Sequence, residues 1–400
     1  MKMKEVSLNA TKCRKKNRPQ RDIVFIVVCF IWFICIPMHV CATDDILESQ
    51  RESLNINGFI NEANKYTKEI FEDIDFGEFL NETIKGNVDN TTIIHKILGL
   101  FGEEIIQTIK IMGSIIIVIV VHSILKSVTD NLENKGVSQI TYYVQYILIV
   151  TLVMLNFSDI VNLVKDTISN LVGFSYTLLP ILTTLMITTG SIASANIMQP
   201  ILLFLITFIG NIITTIIIPI VLVSTALSIV SKVSDKVQIG KLSKFFNSSV
   251  VWVLGIILTV FVGLLSVEGT LSSSVDGVTA KTAKAAVSNF VPVVGKILGD
   301  AVDTVIGCGN ILKNAVGIVG VVVIIGICIL PIIKLTILMA TYYLASAVCE
   351  PIADEKVVSL LSKIGDTFKL LLAILMSVSM MLIIGVTLVV KITNSGLMYR

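Results

Sequence analysis

Charge is the scarcest property of this 400-residue chain: Asp, Glu, Lys and Arg make up 15% of it, against 54% hydrophobic residues. With a mean hydropathy of +0.87, the composition excludes a soluble fold of this length. Histidine is almost missing. His39, His95 and His122 share no metal-ligand spacing with each other or with the seven cysteines. Cys13, Cys29, Cys35 and Cys41 lie near the N-terminus, while Cys308, Cys328 and Cys349 are scattered later, so no disulfide framework or metal site follows. A phosphate-binding Gly-x-x-x-x-Gly-Lys-Ser/Thr loop is absent too, because Gly295-Lys296 lacks the upstream glycine and the following hydroxyl residue. No Ser-His-Asp set can be assembled at one predicted depth. The expectation is a non-enzyme with no cofactor, no metal and no nucleic-acid partner, whose energy source, if it needs one, is a separate protein.

What charge there is comes in blocks. Lys12, Arg14, Lys15, Lys16, Arg18 and Arg21 precede an apolar run from Ile23 to Ile36, too short for a comfortable span of roughly 20 residues. The run ends at small residues, Val40-Cys41-Ala42, so residues 1–42 read as a signal peptide, with an uncleaved anchor as the alternative. Met38-His39-Val40 before Cys41 is not the small-residue pattern a lipoprotein needs. Residues 43–104 turn acidic, with Asp44, Asp45, Glu48, Glu72, Asp73, Asp75 and Glu78. Scarcity of Lys and Arg places this segment outside the cytoplasm. Its apolar positions Leu54, Phe59, Ile60, Ile70, Phe71, Ile74, Phe79 and Leu80 predict short amphipathic helices.

Six segments have the length and apolarity of membrane helices: Ile105–Leu125, Tyr142–Phe157, Pro200–Val230, Val250–Val267, Val316–Leu344 and Lys369–Val390. Backbone groups in lipid must be satisfied within the segment, so the predicted fold is all-α and polytopic. The loop Ser231–Lys244 carries Lys232, Lys236, Lys241 and Lys244 against Asp235, which makes it cytoplasmic. Counting crossings from an outside residue 104 agrees only if Phe174–Gln199 does not cross. That stretch, with Pro180 and Thr188-Thr189-Gly190-Ser191, reads as a re-entrant or interfacial hairpin; an additional span is the alternative.

A shift of 112 residues superimposes Pro180 on Pro292 and Pro219 on Pro331. In both copies a lysine-bearing loop follows, starting at Lys236 and at Lys356. The expected organisation is a first transmembrane hairpin over 105–157, a tandem parallel repeat over 173–267 and 285–390, and a tail at 391–400. Each repeat unit is a hairpin, an inbound span with a central proline, an amphipathic loop and an outbound span. Repeats and broken helices occur in transporters, and prolines favour kinks; chance alignment of apolar sequence is the competing explanation.

The region Glu268–Lys313 is the polar one. Lys296, Asp300, Asp303, Gly307, Asn310 and Asn314 recur every three or four residues and share a helical face, opposite Ile297, Leu298, Ala301, Val302, Val305 and Ile306. Gly295, Gly299 and Gly307 form a small-residue ridge that admits a close neighbour, and Asn289 and Pro292 lead into it. The element either lines a pore or packs against subunits, or it rests on the bilayer. Lys334, three residues past Pro331, is an intramembrane charge, either functional or snorkelling to the cytoplasmic end.

The run AKAAVSNFVPVVGKILGDAVDTVIGC from Ala283 to Cys308, with LKNAVG at Leu312–Gly317 and CEPIAD at Cys349–Asp354, resembles the stage III sporulation protein AE family of endospore-forming bacteria. The resemblance covers nearly all of the chain. It implies a multi-pass protein of the mother-cell membrane around the forespore, part of a channel-like or secretion-like assembly required for forespore development. The implied partners are other membrane proteins of that complex, a separate ATPase among them, together with membrane lipid and further copies in an oligomer. A self-sufficient secondary transporter and a membrane anchor recruiting partners through the acidic segment are the competing functions.

Overall fold

The computed structural model describes residues 56–68, 75–86, 135–155, 157–233, 239–290 and 295–395, with isolated positions at 51 and between 99 and 124. Among them every regular element is helical: α1 (Ile56–Thr67), α2 (Phe76–Lys85), α3 (Lys135–Leu155), α4 (Phe157–Thr188), α5 (Ile192–Ile212), a π-helical turn (Ile213–Ile217), α6 (Ile218–Val233), α7 (Gly240–Phe290), α8 (Gly295–Cys349) and α9 (Glu355–Ser395). Among the described residues five helices are long and apolar enough to cross a membrane: α4, the joined α5–α6, and parts of α7, α8 and α9. The signal segment 1–42, Pro292 and most of the 105–125 span lie outside the described residues.

The spanning helices alternate in direction, and pair contacts fix their register. At one end the Phe157 and Tyr342 rings lie 5.9 and 5.4 Å from Phe368, and the Thr225 and Thr367 hydroxyls are 2.9 Å apart. Ser224 donates to Asn247 Oδ1 at 2.6 Å, and the Ser243 hydroxyl donates to the Ser224 carbonyl at 3.0 Å. Interhelical hydroxyl bonds of this kind contribute about 0.6 kcal/mol each in lipid. Both lysine-bearing connections, α6 to α7 and α8 to α9, fall here, and Ser123 donates to the Ile352 carbonyl. At the opposite end α4 turns into α5 through Gly190, whose φ of 89° suits a residue without Cβ.

This register corrects the predicted crossings. Phe157 lies at the lysine end, so residues 142–157 do not deliver the chain to the far side. Instead α3 is tied to the lysine end, Tyr146 donating to the Ile229 carbonyl at 3.2 Å, and α4 makes the outward crossing. The predicted hairpin Phe174–Gln199 is therefore not a separate re-entrant element. Its turn at Thr189–Ser191 joins two long helices, because the 32 residues of α4 rise about 48 Å, more than the roughly 30 Å hydrocarbon core. With α3 kept at the lysine end, the Ser231–Lys244 loop stays on the side the lysines require. Pro180 sits inside α4, where the Thr183 and Thr184 hydroxyls donate to carbonyls one turn back. Pro219 and Pro331 fall inside the inbound helices α6 and α8. The proposed repeat boundaries at 173 and 285 fall within α4 and α7.

The predicted second hairpin is likewise the tip of two long helices. At 51 and 55 residues, α7 and α8 are about 76 and 82 Å long, so they run well past the far side of α4.

The described parts of the acidic segment, α1 and α2, are amphipathic helices as the periodicity of Phe59, Ile60, Phe79 and Leu80 predicts; Leu54, Ile70, Phe71 and Ile74 lie outside the described residues. Asp75 caps α2 by accepting from the Gly77 amide at 2.8 Å, and Gly86 closes it with φ 75°. Ile56, Phe59, Ala63, Phe76 and Leu80 are fully buried as α1 packs on α4, and both α1 and α2 on α8. Phe59 and Tyr66 lie 6.0 and 5.9 Å from the Phe174 ring. The two helices thus use their apolar faces inside this chain and leave Glu78 and Glu82 exposed.

Candidate functional site

The far ends of α7 and α8 carry most of the residues singled out in the sequence. Asn289 and Gly295, Lys296, Gly299, Asp300 and Asp303 belong to these two helices, and their side chains lie outside the described residues. Three members of the polar stripe are described. Gly307 is exposed with no described atom within 4 Å of a Cβ built there, Asn310 is 7% exposed, and Asn314 is half-buried with its Oδ1 buried and unpartnered.

Among the described residues no other helix of this chain closes on Gly307, and the glycines that meet a neighbouring helix lie further along. A Cβ on Gly317 would collide with Val390 of α9, and one on Gly320 would sit 2.7 Å from the Leu178 side chain of α4. The described stripe positions are divided: Gly307 is exposed and Asn310 turns into the bundle, while Val305, from the predicted apolar face, is 42% exposed. Where the surroundings of a helix are lipid or another apolar partner, polar groups gain by turning inward.

Lys313 was singled out by no spacing, yet it has no accessible surface. Its amine lies 3.5 Å from Asn310 Oδ1, one turn back on α8. Asp276 was also missed. Its carboxylate, on α7, accepts from the Ala193 and Ser194 amides at 2.9 and 3.2 Å. It supplies the cap that Ser191, which makes no capping bond, leaves open, and it favours the positive end of α5. The partner is 83 residues away in sequence, so no local motif could show it.

Lys334 lies half-buried in α8 and makes no hydrogen bond or ion pair among the described residues. Nearer the lysine end, the Tyr343 hydroxyl donates to Asp366 Oδ1 at 2.8 Å and Lys363 pairs with Asp366 Oδ2 at 2.6 Å, clamping α8 to α9. Among the described residues no group of three His, Cys, Asp or Glu side chains is placed to hold a metal.

Known proteins supply the family. No solved structure matches this chain. The Stage III sporulation protein AE of Bacillus subtilis (strain 168) is 31% identical over 298 residues, which cover 74% of this chain and 75% of that protein. The family described as Stage III sporulation protein AE matches residues 74–393, a stretch that begins just before α2 and ends in the last turn of α9. With the runs Ala283–Cys308, Leu312–Gly317 and Cys349–Asp354, the lysine-bearing connections and the spanning helices all inside that match, the chain belongs to the stage III sporulation protein AE family and has a role in sporulation.

Proposed function

We propose that this protein is the membrane-embedded part of a multiprotein channel or secretion-like complex linking mother cell and forespore, resident in the mother-cell membrane around the forespore. It acts as scaffold and conduit, not as an enzyme, and draws any energy from a separate ATPase. The observation that carries this reading is the length of α7 and α8. They cross the bundle and continue beyond the far end of α4, on the side opposite the lysine-bearing connections. Such a projection reaches out of the bilayer into the space where a partner membrane's components would meet it. The lipid-facing stretch of α7 supports it: Val251, Trp252, Ile256, Val260 and Leu264 are exposed, Trp252 by 74%, and in an assembly this surface takes lipid or another subunit.

Purification from sporulating cells in mild detergent is expected to recover other membrane proteins of the complex with the full-length chain. Replacing 277–307 by a short helical turn should abolish that recovery while leaving membrane insertion intact. Recovery as a lone monomer under several detergents counts against the proposal. The transporter reading has one specific support, the π turn and Pro219 in the α5–α6 span. Solute flux in vesicles holding this protein alone would favour it.

A further inference from the structure

The outward face of α4 has the wrong chemistry for lipid. Asp159, Asn162, Asp166, Ser169, Asn170 and Thr184 are exposed and share one side of the helix, with half-buried Gly173 and Thr177 on the same line. The opposite side carries Val164, Ile168, Leu171, Leu178, Leu182 and Leu185, all buried in the bundle. The large hydrophobic residues that α4 exposes are Tyr176, whose hydroxyl bonds Thr207 at 2.6 Å, and Ile187 near the outer end.

This face lies at membrane depth. Phe157 of α4 is level with Phe368 and Tyr342, and Leu178 is level with Gly320, close to where Val390 meets Gly317. Between those two levels α9 runs from 370 to 390 without an ionisable side chain, and α8 from 320 to 342 with Lys334 as its one charge. Asp166 falls in the middle, about 14 Å along the axis from Phe157 and about 18 Å from Leu178. A carboxylate on so short a side chain cannot snorkel to either interface, and an ionisable group at this depth faces water or protein. Within the same bundle α7 shows the lipid-facing alternative. Its Phe261 is level with Gly385 of α9, and around that level it exposes Val251, Trp252, Ile256, Val260 and Leu264.

We infer that the outward face of α4 borders water through the thickness of the membrane and forms one wall of a water-filled path in the assembly, with Asp166 presented to hydrated solutes at its middle. Lys165, half-buried, stands about 100° round the helix from Asp166, so the charge on this wall at mid-depth is negative and favours cations over anions. A dry protein neighbour fits less well. Asp166 makes no hydrogen bond or ion pair among the described residues, and a partner sealed against it would have to bring the counter-charge that burial of a carboxylate demands. The inference deepens the conduit reading and rests on it for the other walls of the path. It moves the lining from the tip of α8 to α4.

The test is thiol labelling in membranes of sporulating cells that carry the full-length chain, whose Cys308, Cys328 and Cys349 are buried. Asn162→Cys, Ser169→Cys and Asn170→Cys on α4 are compared with Val253→Cys, Ile256→Cys and Val260→Cys on α7. The reagent is a small water-soluble methanethiosulfonate, and each site is read from its own peptide by mass spectrometry. The α4 sites are expected to react at least about tenfold faster, because a thiol reacts as its thiolate, which forms in water and not in lipid. Equal rates on the two helices overturn the inference, whether lipid or a dry partner covers α4. A second measurement addresses Asp166: the ratio of rates for a cationic over an anionic reagent at Asn170→Cys. The carboxylate is one turn away, about 6 Å, so at low salt this ratio should fall about tenfold in Asp166→Asn. An unchanged ratio overturns the placement of Asp166 in that water. Failure of the conduit reading has a different signature, recovery of a lone monomer in mild detergent, and it leaves the labelling contrast between α4 and α7 to be judged by itself.

Discussion

Gly320 offers the sharpest test of the packing described above. Its hydrogen faces Leu178, which is 1% exposed in the seam between α4 and α8. A Cβ there would come within 2.7, 2.8 and 3.3 Å of Leu178 Cδ2, Cδ1 and Cγ. The three contacts involve the whole branched end of a buried side chain, so rotation of one methyl does not relieve them. Gly320→Ala is therefore expected to destabilise by about 1–3 kcal/mol, the usual cost of overpacking a tight seam. Leu178→Ala opens a cavity at the same point and should cost about 2–5 kcal/mol. In the double variant the alanine methyl of one helix occupies part of the space vacated by the other. The combined loss should fall short of the sum by at least 1 kcal/mol, within the range of coupling seen between residues in contact. Unfolding of the four proteins in one detergent, followed by helix content, gives the cycle. Additivity within about 0.5 kcal/mol would refute the α4–α8 register and with it the outward crossing by α4.

Asp276→Ala should speed amide exchange at Ala193 and Ser194 and cost about 1–2 kcal/mol as the α5 cap is lost; Asp276→Asn should cost less, and unchanged exchange in both would remove the cap. In a background without native cysteines, Thr188→Cys should react with an impermeant thiol reagent from the side opposite to Lys241→Cys and Glu350→Cys. Labelling of all three from one side would contradict the alternation of α4, α5–α6, α7 and α8.

The helical character of the chain and its lysine end were legible in the sequence, because lipid permits a short list of backbone solutions and Lys232, Lys236, Lys241 and Lys244 mark one side. The amphipathic α1 and α2 were legible for the same kind of reason: Phe59, Ile60, Phe79 and Leu80 recur at helical spacing. The crossing at α4 was not. Its first half, with Asn162, Lys165, Asp166 and Asn170, looks too polar to enter a bilayer, and only the register with α8 and α9 shows that it continues without a break into the apolar half. The polar stripe shows another limit, with Gly307 exposed and Asn310 buried on the same face. Periodicity finds that one face differs from the other, but which face turns inward depends on whether the surroundings are water or lipid. Lys313 and Asp276 acquire their significance from partners, or from the lack of them, that no window of sequence contains.

The π turn at Ile213–Ile217 closes with the Ile218 amide bonded to the Ile213 carbonyl, one residue more than an α turn holds. An added residue advances every later side chain by about 100° around the axis. The inbound rod is thus two half-rods in different rotational phase: the outer half packs on α4, and the inner half on α9. One continuous strut can in this way mate with two neighbours that a uniform helix could not satisfy together, and a twist applied at one of its ends need not be felt at the other.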